Sequence, residues 1–263
     1  MHNGSAADFE SACGGSIPSS PTISNKNFRY ILYMKDIYIQ IGANIGYDYF
    51  FNLIKELKEP CKIILIEPNP NLIERLTDCY KDLNKIHDIN ILNVGISYDS
   101  NNVLHTYRGD DTAVLSSILN RKSHPHVIDN IKFSVMTFDE VCNIYNCKNI
   151  KLLCIDTEGY DYWILKNIDI KKYNIETIEC EYWAHDIDCT EEIKTGPKFF
   201  ENEILPKYSK FYNISKCTRD SMDTHTFIKI VEKSFIINNL LKNINSIKNM
   251  FKKIIFNFLN IEN

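Results

Sequence analysis

The chain has 263 residues, is 44% hydrophobic and carries a formal net charge of −4. That length suits one sizeable core with appendages, and the lack of a basic excess argues against a nucleic-acid binder. Nine cysteines with no C-x-x-C pair fit neither a zinc pattern nor a small disulfide scaffold.

Residues 1–27 are rich in Ser, Gly, Ala and Pro, without the basic start and apolar run of a secretory signal. They read as a flexible leader ahead of a domain over 28–232. "DIYIQI" (36–41) reads as a buried strand and "YDYFFNLIKELK" (47–58) as an amphipathic helix. "CKIILIE" (61–67) is a second apolar strand. "NPNLIERLTDCYKDLNKI" (69–86) is a second helix, with Pro70 in the first turn, where its missing N–H costs nothing. "INILNVGIS" (89–97) reads as one strand, and residues 98–130 have no strong periodicity. "IKFSVMTF" (131–138) is extended, "DEVCNIYN" (139–146) a short helix, "IKLLCID" (150–156) a strand, 160–173 a helix and "IETIECEYW" (175–183) a strand. A helix over 196–208 precedes "KFYNISKC" and "THTFIKIV", an antiparallel pair. Cys61, Cys154 and Cys180 fall within apolar runs, where a free thiol acts as a small hydrophobe. Free thiols point to a reducing, intracellular and cytoplasmic setting.

Apolar strands alternating with helices make an α/β fold with a mostly parallel sheet covered on both faces. Ligands of such sheets bind at the carboxyl ends of the strands, so chemistry is sought there. After the first strand comes Gly42-Ala43-Asn44-Ile45-Gly46. Glycine permits a left-handed bend and close approach of a ligand to the backbone; a plain turn is an equal account. Glu67 follows the second strand, placed to accept hydrogen bonds from the hydroxyls of a ribose; the simpler account is a carboxylate capping the Pro68-Asn69 turn. After "IKLLCID", Asp156 and Glu158 are two residues apart and in extended backbone point to one side. Such a pair suits a general base, or oxygen ligands for Mg²⁺ if the reaction needs one. Capping of the next helix is the plainer alternative. Glu181, after the fifth long strand, brings another carboxylate to the same edge.

"IQIGANIG", "LIEPNPNLIERL", "ILNVGIS", "LSSI", "VMTFDEV", "LLCIDTEGYDYWILKNI" and "ECEYW", in that order over about residues 36–183, resemble the FkbM family of S-adenosylmethionine-dependent methyltransferases. The resemblance implies a Rossmann-like class I methyltransferase sheet of seven strands, the last antiparallel, and O-methylation of a sugar, glycan or related metabolite hydroxyl. It places S-adenosylmethionine against Gln40, Gly42, Ala43, Asn44, Gly46, Glu67, Pro68, Gly95, Ile96 and Asp156, with Asp156, Glu158 and Glu181 as the catalytic carboxylates. Many relatives carry Asp two residues before the first glycine, where that acid helps to hold the cofactor's methionine end. This chain has Gln40 there, which keeps an acceptor but not the charge.

Two other function classes compete. Tyr162-x-x-x-Lys166 is similar to the pair of short-chain dehydrogenases and favours an NAD-dependent oxidoreductase, although the glycine spacing is wrong for one. A non-catalytic module keeping the fold is the other. Residues 98–130, with His105, Arg108, Asp110, Asp111, Ser116, Ser117, His124 and His126, are the expected acceptor determinant. The tail 233–263 reads as an amphipathic helix too polar to span a bilayer. It is suited to packing on the body, to a homodimer or to peripheral membrane contact.

Overall fold

A computed structural model describes residues 36–98, 103–106, 116–119, 129–182, 196–217 and 227–234, with residues 236, 244, 247, 248 and 250. All belong to the unit Met34–Asn263. The proposed leader and most of the proposed tail helix lie outside the described residues, as do Arg108, Asp110, Asp111, His124 and His126.

Strands β1 (Ile37–Ile41), β2 (Lys62–Ile66) and β3 (Asp88–Leu92) come first. Five short strands follow: β4 (Gly95–Ile96), β5 (Val103–Thr106), β6 (Ser116–Ser117), β7 (Asp129–Lys132) and β8 (Val135–Met136). Then come β9 (Asn149–Ile155), β10 (Asn174–Glu181), β11 (Tyr212–Cys217) and β12 (Phe227–Glu232). The main sheet has seven strands in the order β11-β12-β10-β9-β1-β2-β3. The strands from β10 to β3 run parallel, and β12 is antiparallel to both its neighbours. The chain leaves β1 toward β2 on one side and later returns to β9 on the other, so β1 flanks the topological switch point.

Every residue of β1 is buried, because the pleat sends alternate side chains into two cores. Ile37, Ile39 and Ile41 join one core, Tyr38 the other, and β2 divides likewise, with Ile64 and Ile66 opposite Ile63 and Leu65. Helix α1 (Tyr49–Glu56) covers the second core through Phe50 and Ile54. Complete burial of such side chains contributes roughly 1.5–3 kcal/mol each. Helix α2 (Ile73–Tyr80) adds Leu76, Cys79 and Tyr80 to that face. Helices α3 (Phe138–Tyr145) and α4 (Asp161–Asn167) cover the first core, with α5 (Pro197–Phe199), a π turn (Phe200–Ile204) and α6 (Leu205–Tyr208). A capping box of Thr137 and Glu140 starts α3, and left-handed Asn146 stops it.

The structure departs from the sequence reading in several places, each for a local reason. The expected single strand 89–97 splits, because Asn93 Nδ2 donates to the Glu67 and Pro68 carbonyls and turns the chain away after Leu92. Gly95–Ile96 then pairs in parallel with β8. The helix expected over 69–86 is a 3-10 turn (Pro70–Leu72), then α2, then a second 3-10 turn (Leu83–Lys85). The helix expected over 160–173 ends at Asn167, where Lys207 Nζ donates to the carbonyls of Leu165, Lys166 and Ile168. The π turn precedes Pro206, which lacks an N–H and whose ring crowds the carbonyl four residues back. The stretch 98–130, read without periodicity, contributes to a three-stranded antiparallel sheet in the order β6-β5-β7. Among the described residues, no helix is long and apolar enough to cross a membrane, and the described cysteines are free thiols.

Candidate active site

A cavity of about 330 Å³ opens at the carboxyl ends of β1, β2 and β9 and is closed on one side by β4, β5 and β6. That volume lies at the small end of the roughly 300–1,000 Å³ usual for small-molecule sites. Its floor is the loop after β1. Gly42 N and Ala43 N both donate to the Ile66 carbonyl (2.9 and 3.0 Å), which ties the loop to the end of β2. Gly42 has φ +83°, and a Cβ there would stand 1.8 Å from the Asp156 carbonyl oxygen. Gly46 has φ +87°, with Tyr80 and Leu76 of α2 within 2.9 Å of where a Cβ would be. Both glycines are therefore demanded by the protein's own packing as well as by backbone conformation. The sequence reading weighed a close-lying ligand and a plain turn equally; packing against β9 and α2 was in neither account.

Glu67 joins the ends of β1 and β2. Its Oε2 accepts from Asn44 N and its Oε1 from Asn69 N, both at 2.8 Å. The side chain thus caps the Pro68-Asn69 turn, holds Asn44 at φ 49°, and lines the cavity as well. Burial pushes its carboxyl up to about 7, against the pull of these two N–H donors.

At the end of β9, Asp156 N donates to the Ile41 carbonyl, fixing the strand end beside the glycine loop. Asp156 and Glu158 both line the cavity. They do not lie on extended backbone as expected: Glu158 is left-handed (φ 54°) and Gly159 follows at φ 106°. The turn is built on Asp161, whose carboxylate accepts from Thr157 N (3.4 Å), Thr157 Oγ1 (3.1 Å) and Gly159 N (3.1 Å). Asp161 is fully buried, and burial, with the Asp156 charge behind it, pushes its carboxyl up to about 7. From the opposite wall, Ser117 Oγ donates to the Glu158 carbonyl at 2.9 Å. The Ser116–Ser117 strand thereby locks onto the turn.

Of the residues named from sequence, Gly42, Ala43, Asn44, Gly46, Glu67, Pro68, Gly95, Ile96, Asp156 and Glu158 come together in this one cavity. Gln40 and Glu181 are not among its lining. Gln40 is buried beneath the floor, and Glu181 stands in β10. Tyr162 is wholly buried in the first core, and Lys166 pairs with Glu203 at 3.2 Å, so the dehydrogenase-like pair serves α4 packing. Among the described residues, no three His, Cys, Asp or Glu side chains gather as a metal centre would require. Sequence reasoning missed Asp48, Thr157, Leu104 and Ile118 in the lining. Asp48 carried a legible signal, an acid just before an apolar-periodic run; Ile118 lay within the quoted "LSSI" stretch without being singled out, and Leu104 carried none.

The profile of the methyltransferase FkbM domain matches residues 40–207, which contain every lining residue named above. The chain belongs to the FkbM methyltransferase family. Its fold is that of the class I methyltransferases. A search of curated protein sequences finds no match. Among solved structures, the chain is similar to Aeropyrum pernix fibrillarin with natively bound S-adenosyl-L-methionine (13% identity, 75% of this chain and 67% of that one, TM-score 0.44). It is also similar to M. capricolum TrmK with S-adenosyl-homocysteine (12% identity, 80% and 69%, TM-score 0.38). A third is a SAM dependent methyltransferase from Aquifex aeolicus (8% identity, 78% and 86%, TM-score 0.35).

The electrostatics of the family's cleft in this chain are one-sided. Asp48, Glu67, Asp156 and Glu158 line it, and among the described residues no Lys, Arg or His does.

Proposed function

We propose that this FkbM-family protein is an S-adenosylmethionine-dependent O-methyltransferase acting on a hydroxyl of a sugar, glycan or related small metabolite. The observation that carries the reading is the charge of the cleft: among the described residues, four carboxylates and no cationic side chain line it. Such a lining favours a cationic ligand and repels a diphosphate. It therefore disfavours the dinucleotide that an NAD-dependent oxidoreductase would need. S-adenosylmethionine, when bound, supplies an electrophilic methyl group on a sulfonium.

The chain's own residues divide the work along the sheet edge. Glu67, held by two backbone N–H groups, presents its carboxylate to a ribose diol, and the apolar Gly95–Ile96 edge offers a wall for adenine. Methyl transfer to oxygen is an in-line displacement, so positioning is the enzyme's chief contribution. A hydroxyl must lose its proton as the new bond forms. Asp156, on the lining and fixed through its own backbone to Ile41, is the proposed base, with Glu158 beside it. Leu104, Ser116 and Ile118, from β5 and the β6 region, form the wall assigned to the acceptor.

The test begins with titrations of S-adenosylmethionine, S-adenosylhomocysteine and NADH. The first two should give saturable binding and NADH none; the reverse pattern would sink the reading. A screen of hydroxylated acceptors, followed by release of S-adenosylhomocysteine, then separates an enzyme from a binding module. With an acceptor in hand, Asp156→Asn should keep homocysteine-product binding while turnover falls roughly 100-fold or more. Turnover at the wild-type rate would remove Asp156 as the base.

A further inference from the structure

Glu232 ends β12, and the chain beyond it differs from the body in charge. Residues 233–263 hold five lysines and a single acid, Glu262, whereas the rest of the chain holds 25 basic and 33 acidic side chains. Such asymmetry points to an anionic surface as partner. Lys233 is tied to the body: its backbone N donates to the Phe211 carbonyl at 2.9 Å and its Nζ to the Ser209 carbonyl at 2.8 Å. The other four are Lys242, Lys248, Lys252 and Lys253. Strand β12 runs antiparallel to β10, with Phe227 beside Glu181 and Val231 beside Thr177. The tail therefore leaves the sheet at the amino-terminal edge of its parallel strands, opposite the cleft.

Residues 244, 247, 248 and 250 are helical. Ile244 is 46% exposed, Ile247 51% and Met250 54%, three of the eight large apolar side chains left exposed among the described residues. Single exposed apolar groups are ordinary, but a row marks a contact surface. Spaced three apart, these three span about 120° of a helix and share one face, with Lys248 exposed nearby. In the sequence, Ile237, Leu240, Phe251, Ile254 and Phe258 recur at the same spacing, and Leu241 and Ile255 widen the stripe beyond the two-position seam of a coiled coil. No acid falls between residues 233 and 261 to make the ion pairs that align two such helices, so a second copy would set lysine against lysine. A nucleic-acid backbone would take up the lysines and leave the apolar row in water. An apolar stripe rich in Ile and Phe with lysines on the other side suits a lipid surface of negative charge.

We infer that the segment after β12 docks on the surface of an anionic lipid bilayer, placing Ile244, Ile247 and Met250 among the acyl chains and its lysines at the level of the lipid phosphates. The lysine stems reach along the apolar boundary while their ammonium groups stay in water. The cofactor cleft lies at the other edge of the sheet, so the inference is independent of the cofactor reading.

The experiment sediments the full chain with vesicles of phosphatidylcholine, alone or with about a third phosphatidylserine. The anionic vesicles should bind roughly tenfold tighter or more, and raising the salt from about 0.1 M to about 0.5 M should remove most of that preference. The quadruple variant Lys242→Gln, Lys248→Gln, Lys252→Gln and Lys253→Gln should lose the preference as well. The triple variant Ile244→Ser, Ile247→Ser and Met250→Ser should weaken binding to anionic vesicles roughly tenfold or more. An unchanged unfolding temperature shows that the body of each variant is folded. If a variant does not fold, a chain ending at Ser234, which keeps Lys233 on Ser209, carries the same comparison and should not sediment with either vesicle. No binding of the wild-type chain to anionic vesicles, or equal binding to both kinds, would overturn the inference. A dimer in sedimentation equilibrium that the triple variant dissociates, without vesicle binding, would assign the apolar row to a second copy and overturn it too. Retention on a single-stranded oligonucleotide, lost in the quadruple variant but kept in the triple one and again without vesicle binding, would do the same in favour of nucleic acid.

Discussion

Glu67 and Asp161 are near twins in their local chemistry and differ in what lies beside them. Each is a buried carboxylate near the carboxyl end of a parallel strand, Glu67 directly after β2 and Asp161 at the start of α4 beyond the β9 turn; each gathers backbone N–H donors from turns, and burial raises each to about 7. Glu67 lines the cleft and Asp161 does not. The difference teaches that a strained-looking acid at a ligand edge is not by itself a ligand group. Asp161 is spent entirely on holding Thr157 and Gly159, which in turn aim Asp156 and Glu158. Glu67 holds its loops and still faces the cavity.

The sharpest way to break the comparison is truncation at both sites. Asp161→Ala removes the acceptor for three donors in a place water does not reach, and should cost about 3 kcal/mol or more of folding stability. Thermal or denaturant unfolding measures it. A loss under about 1 kcal/mol would mean that the turn does not depend on Asp161.

Glu67→Ala should cost less, about 1–2 kcal/mol, because water entering the cleft replaces the carboxylate at Asn44 N and Asn69 N. The same variant should weaken S-adenosylhomocysteine roughly tenfold, as loss of a hydrogen-bonded ribose contact implies. Equal stability losses at the two sites with unchanged affinity at Glu67 would erase the distinction.

The pH dependence is where the twins should behave alike. Both carboxyls have folded values near 7, above their ordinary values of 4.5 for Glu and 3.8 for Asp. Over that window the native state holds more protons than the unfolded chain. The stability these groups contribute is therefore present below their unfolded values and lost as pH rises through about 7. Wild-type melting temperature should fall between about pH 5 and pH 8 more steeply than that of the Glu67→Gln, Asp161→Asn double variant. Parallel profiles would show that neither acid is raised in the folded state.

The parallel sheet was legible because its strands are apolar on both faces: "IYIQI", "KIILI" and "IKLLCI" announce burial whatever surrounds them. Most of the cleft floor followed from the rule that ligands meet such sheets at strand ends. The exact elements around it were less legible. Asn93 breaks a continuous apolar run by reaching two carbonyls on another loop, a contact that no periodicity encodes. The wall of Ser116 and Ile118 depends on Ser117 meeting Glu158, forty-one residues away in the chain.

By itself, then, the sequence determined the fold class, the strand ends that matter and most of the acidic groups there, since all of these follow from local pattern and spacing. Tertiary structure alone decided what each group does. It set Gly42 against Asp156 rather than against a ligand alone, buried Asp161 beneath the turn, left Glu181 out of the cleft lining and brought Gln40 onto Asp48. The physical reason is that hydrogen bonding and desolvation at these positions depend on partners brought in from other strands, and chain order does not specify how closely those partners approach.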